Sequence, residues 1–176
     1  MSRFPSRSLL LTAAVSSLAL GGTLWVKPAL AGTATDNITV GANVPASCVI
    51  NSQSIDFGAY NAGTGNPTSA SLGVNCTTGA SAVITLSQGS NADTGSTDAA
   101  PLRRMKLTTG NNYLSYNLYH DNSHSIVWGN TTDSGKPYTG AGTTQTFTVY
   151  AKMMQGVTSG AAAGSYSDTV VATITY

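Results

Sequence analysis

Apolar and polar residues alternate every second position along most of this chain, and no segment of useful length keeps a helical period. Successive side chains of a strand point to opposite faces, so this alternation predicts strands with one buried side. The runs 54–60, 72–77, 82–87, 102–108, 113–120, 125–128, 143–153 and 166–176 fit it, separated by Gly, Asn, Pro and Ser clusters that favour turns. In the 113–120 run, Leu114, Tyr116 and Leu118 face one way and Ser115, Asn117 and Tyr119 the other. Residues 89–100 are polar and aperiodic and read as a surface loop; Gly110-Asn111-Asn112 reads as a hairpin turn. Ala161-Ala162-Ala163, held between Gly160 and Gly164, reads as loop rather than helix. Many short strands without intervening helices predict an all-β sandwich and argue against a βαβ fold.

The two ends stand out. Near the N-terminus Ile38, Val40, Ala42 and Val44 form an apolar row opposite Asn37, Thr39 and Asn43, and Pro45 interrupts any continuation into the next strand. This segment is either the first strand of its own sheet or a strand that pairs with another molecule. At the C-terminus Val170, Ala172, Ile174 and Tyr176 alternate against Thr169, Val171, Thr173 and Thr175. A strand at each end, one of them detachable, leaves an edge that must be paired or covered.

Composition narrows the function. Arg3 and Arg7 precede an apolar stretch, residues 9–26, and Ala29-Leu30-Ala31 supplies small residues at a cleavage position, so residues 1–31 are predicted to be an export signal with Gly32 as the mature start. The polar interruptions Thr12, Ser16, Ser17 and Thr23 argue against a retained membrane anchor. The mature cations are then Arg103, Arg104, Lys106, Lys136 and Lys152, outnumbered by seven acidic groups, all aspartate. No basic field is left for nucleic acid. Export carries Cys48 and Cys76 to an oxidising compartment, where an even count and strand-like flanks favour a bridge over two free thiols.

Catalytic signatures are missing. There is no nucleophile elbow, phosphate loop or dinucleotide fingerprint, and Gly63-Thr64-Gly65 and Gly140-Ala141-Gly142 read as turns. His120, Asp121 and His124 are close in sequence, but a turn at 121–123 separates the imidazoles and no Cys or Glu completes a set, so no metal and no cofactor are expected. Tyr116, Tyr119, Trp128 and Tyr138 are candidates for a sugar site, although aromatics on strands more often fill the core. With no Glu, a hydrolase would have to draw on scattered aspartates, and the chain is expected not to be an enzyme.

A set of short motifs, in order, closely resembles the spore coat protein U family, which includes pilin subunits of the archaic chaperone-usher pathway. They are Cys48, Asp56-Phe57-Gly58-Ala59-Tyr60, Val74-Asn75-Cys76, Arg104-Met105, residues 114–119, Val127-Trp128-Gly129-Asn130 and Gly164 to Val170. The resemblance spans nearly the whole mature chain. It implies an incomplete immunoglobulin-like β-sandwich over residues 46–176, completed by donor-strand exchange, with residues 32–45 as donor strand and linker. It also implies a Cys48–Cys76 disulfide, donor side chains Ile38, Val40, Ala42 and Val44, and an acceptor groove and chaperone contact at Val170, Ala172, Ile174 and Tyr176. The implied partners are a periplasmic pilus chaperone, an outer-membrane usher and neighbouring pilin subunits. The implied role is a surface pilus subunit serving attachment and biofilm formation. In one departure, Tyr150-Ala151 stands where the family usually has Tyr-Gly, and Lys152-Met153-Met154 follows in place of a turn-like stretch. A minor tip adhesin or lectin-like secreted module is the alternative, distinguished by ligand binding without fibre formation.

Overall fold

A computed structural model describes residues 30–155 and 161–176; the predicted export signal lies almost wholly outside them. The chain divides into two units, residues 1–41 and 42–176. The described part of the first has no regular secondary structure, and every residue of it is exposed.

The second unit is all β, with no helix among the described residues. Its strands are β1 (Cys48–Ser52), β2 (Thr68–Cys76), β3 (Ser81–Leu86), β4 (Arg103–Leu107), β5 (Tyr113–Tyr119), β6 (Lys136–Thr139), β7 (Gln145–Met153), β8 (Tyr166–Ser167) and β9 (Ala172–Thr175). All pairings are antiparallel. A wide sheet runs β1-β2-β7-β5-β4-β8, and a narrow one runs β6-β3-β9. Between them Leu72, Val74, Ile84, Leu86, Leu118, Val149 and Met153 are buried, each from an inward position of its strand. Burying side chains of this size stabilises by roughly 1.5–3 kcal/mol each. Trp128 closes the core from the loop after β5, its indole N–H donating to Ile84 O at 2.9 Å.

Several predicted strands take other forms. Residues 54–60 are irregular, because side chains have taken the backbone groups a ladder would need. Asp56 accepts from Gly58 N–H at 2.8 Å, Gly58 turns with φ +63°, and Asn66 Nδ2 donates to Phe57 O and Ala59 O. Residues 125–128 contribute one bridge, Tyr119 to Val127, because Asp121 captures the N–H groups of Ser125 and Ile126 in a tight turn. The run 166–176 is two strands: β8 pairs with β4 in the wide sheet and β9 with β3 in the narrow one, so the chain changes sheets at residues 168–171. Residues 32–45 form no strand, and β6 was not anticipated because Pro137 sits within it, a residue confined to sheet edges. The Ala151–Met153 departure continues β7, with Ala151 and Met153 in the core.

Cys48 and Cys76 face each other in the β1–β2 register and are disulfide-bonded across 28 positions. This bond holds an edge strand to its sheet. Loop-closure entropy predicts that the Cys48→Ser/Cys76→Ser chain loses about 3.5 kcal/mol, read as a lower urea midpoint. A loss under about 1 kcal/mol would show that the bridge restrains nothing in the unfolded chain.

Candidate functional site

The sheets are unequal, and the sandwich is open along one side. β1 pairs with β2 and β9 with β3; among the described residues neither pairs with another strand, and the two approach each other. Two edges therefore present unpaired backbone groups across one gap. Where these two edges end lies a groove of about 370 Å³. One wall is the chain leaving β1, with Ile55 and Phe57, and the other is the sheet-changing segment, with Asp168, Val170 and Ala172. The floor is apolar core: Leu72, Leu86, Tyr116, Leu118 and Val149.

The predicted groove residues separate. Val170 and Ala172 line the groove; Ile174 packs on the core one row further on. Tyr176 is 57% exposed and lies in a different shallow depression with Tyr138 and Pro137. The predicted donor residues are all at the surface: Ile38 and Val40 are 90% exposed, Val44 is 77% exposed, and Ala42 is exposed. Large apolar side chains at that exposure, repeating every second residue, form an uncovered apolar row.

Polar groups brace the groove. Asp168 points inward with Tyr166, Val170 and Ala172, and three donors satisfy it: Tyr116 Oη at 2.8 Å, Ser90 N–H at 2.9 Å and Asn91 Nδ2 at 3.0 Å. Burial, with the Asp168 charge beside it, pushes the Tyr116 hydroxyl far above its ordinary value, so it remains a donor at every physiological pH. Nearby, Arg103 is 1% exposed and donates to Ser87 O, Leu86 O, Trp128 O and Asn117 Oδ1 at 2.7–2.9 Å. Burial pulls its guanidinium down to about 10, still charged at neutral pH. Sequence reasoning missed both. The signal for Arg103 was a cation at an inward position of a strand, directly opposite Tyr116.

The candidate chemistry is not assembled. His120 stacks on Trp128 with centroids 4.4 Å apart, and its Nε2 lies 3.1 Å from Ser134 O; His124 sets its ring edge-on against Tyr119. The imidazoles thus serve different packing contacts, and no cluster of metal-ligating groups occurs among the described residues. Tyr116, Tyr119 and Trp128 are buried, and Tyr138 packs on Phe147, so no aromatic sugar platform forms.

Three comparisons bear on this geometry. The model of the Spore Coat Protein U domain family matches residues 34–173. Protein U of Myxococcus xanthus is 40% identical over an alignment 176 positions long that covers 94% of this chain and 97% of that protein. Among solved structures, the CsuC-CsuE chaperone-tip adhesion subunit pre-assembly complex, from archaic chaperone-usher Csu pili of Acinetobacter baumannii, contains a similar chain. The TM-score is 0.58 at 22% identity, covering 76% of this chain and 40% of that one. At that identity the likeness is one of fold.

The turn after β5 gives a pH test of the packing. Burial, reinforced by Lys136, holds the His120 imidazole below its ordinary value against the opposing bond to Ser134, so the unfolded chain binds the proton first. Stability is then lost as pH falls below about 6.5. Bonds from Ser123, Ile126 and Ser125 hold the Asp121 carboxyl well below its ordinary value, so its contribution is lost only as pH falls below about 4. Urea midpoints should fall in two steps, His120→Gln removing the upper and Asp121→Asn reducing the lower, to which Asp98, held down by its bonds from Asn130 and Gln88, also contributes. An upper step that survives His120→Gln would assign it elsewhere.

Proposed function

The chain belongs to the Spore Coat Protein U domain family, and from that membership we propose that it is a structural subunit of a surface pilus, built by donor-strand exchange through the chaperone-usher pathway. One feature carries the reading: a groove with an apolar floor where two edge strands end, in a chain that also presents an exposed row of alternating apolar side chains. Residues 36–44 of one copy fill the groove of the next. Main-chain bonds join the new strand to the open edges, while Ile38, Val40, Ala42 and Val44 turn inward. Burying the three branched side chains at roughly 1.5–3 kcal/mol each makes release slow. The contact is heterologous, head to tail, so it does not close and a fibre results.

The same groove needs cover before assembly, because an open apolar edge in a crowded export compartment associates indiscriminately. A periplasmic chaperone that lends a strand meets that need, and the fold likeness to a chain of a chaperone–subunit complex supports it. An outer-membrane usher would then exchange the chaperone's strand for the next subunit's arm. On this reading residues 1–31 are the export signal, residues 32–45 the donor strand and linker, and residues 46–176 the sandwich. The protein is structural rather than enzymatic, and the fibre serves attachment and biofilm formation at the cell surface.

Material sheared from the cell surface and run unboiled on a gel should give a ladder of multiples that boiling collapses to one band. Val40→Asp should abolish the ladder, because its carboxylate would enter an apolar groove without a partner. Thr39→Asp, on the opposite face, should reduce it far less. A single monomer band in both wild-type lanes would rule out polymerisation, and equal losses in the two variants would rule out the assigned faces.

A further inference from the structure

A line of three side chains crosses the groove from wall to wall. Phe57, on the β1 side, sets its ring edge-on against Tyr116 of β5, with centroids 5.7 Å apart and planes at 63°. The Tyr116 hydroxyl continues to Asp168 on the far wall, donating to Oδ2 at 2.8 Å. All three residues line the groove. Both ends are tied: Phe57 O accepts from Asn66 Nδ2 at 2.9 Å, and Asp168 Oδ1 accepts from Ser90 N–H and Asn91 Nδ2. Tyr116 is 5% exposed, so the bar cannot swing aside without leaving a buried hydroxyl unpaired and Asp168 Oδ2 without its donor.

Such a bar makes the groove shallow at one level. Along the far wall the inward row runs Tyr166, Asp168, Val170, Ala172, which leaves one position on one side of the bar and two on the other. The arm carries the same asymmetry. In its row Ile38, Val40, Ala42, Val44, one side chain is reduced to a methyl, with one position to one side of it and two to the other. Both rows turn every second residue inward, the far wall by its alternating burial over residues 166–175 and the arm by its sequence, so the positions can be matched one for one.

We propose that the Phe57–Tyr116–Asp168 bar sets the register of strand uptake: Ala42 of a second copy of this chain passes over it, with Val44 toward Tyr166 and Val40 and Ile38 toward Ala172. The inference rests on the strand-exchange reading above. A slip of one residue turns the polar face of the arm inward. A slip of two puts a branched side chain on the bar and overpacks a contact that is already hydrogen-bonded. One small donor residue against one fixed obstacle thus excludes the neighbouring registers.

The test uses the full exported chain and its unboiled ladder. Ala42→Leu changes an exposed position and leaves the core untouched; it should cut the ladder at least tenfold, whereas Val40→Leu should change it less than threefold. Phe57→Ala lowers the bar and should bring the ladder of the Ala42→Leu/Phe57→Ala chain up to the level of Phe57→Ala alone. Should Phe57→Ala alone reduce the ladder, Phe57→Val takes its place in the pair. An Ala42→Leu ladder within threefold of wild type, an equal loss in Val40→Leu, or no restoration in the paired variant overturns the register. No ladder in wild type overturns the strand-exchange reading, and the register with it.

Discussion

Three strands cannot roof six. The wide sheet offers an inner face of Leu72, Tyr116, Leu118 and Val149, and the narrow sheet, with β3 at its centre, covers only part of it. Where β9 ends the narrow sheet and β1 ends the wide one, apolar side chains and unpaired backbone groups meet along one line. Apolar surface of that kind gains free energy when removed from water, and backbone groups at an edge gain it when paired. A strand meets both demands at once. That shared demand ties the groove, the exposed arm and the polar bracing together.

The groove keeps its shape because its walls are tied down by polar bonds. The disulfide holds β1 to β2, Asn66 clamps the backbone at Phe57 and Ala59, and Asp168 takes three donors where the chain changes sheets. Gly89 lies against Asp168 with φ +83°, and a Cβ there would strike the carboxylate. Arg103 satisfies three carbonyls, two at the end of β3 and one in the loop carrying Trp128, and the amide oxygen of Asn117 on β5, groups whose desolvation would otherwise cost about 1–3 kcal/mol each. Hydrogen bonds of this kind contribute modestly to net stability but fix positions. A satisfied polar network of this kind rigidifies the walls of an opening that apolar burial alone would leave free to collapse.

Membership in the Spore Coat Protein U domain family agrees with this architecture, and the sequence similarity to the relative from Myxococcus xanthus runs over almost that protein's whole length. The chain carries few charges for its size, and among the described residues its recorded ion pair is Arg104 with Asp93 at 2.8 Å. Long-range electrostatics therefore do little of the organising, and local hydrogen bonding and burial do most of it.

Alternation within a segment is local information, and it was legible from residues alone. The all-β class, most of the strands, the outward and inward faces of residues 169–175 and the apolar row of the arm could all be read because a two-residue period needs no knowledge of distant partners. The turn at residues 121–123 was legible too, but the irregular Phe57 segment, the break at residues 168–171 and the edge strand β6 were not. Each depends on a side chain or strand far away in sequence: Asn66 on Phe57, Asp168 on Tyr116 and Ser90, β6 on β3. The inward burial of Arg103 was likewise hidden, since its acceptors come from three other segments. Residue order thus settles which faces are apolar. Packing settles which of those faces find cover within the chain and which stay open, because cover depends on how many strands reach each sheet.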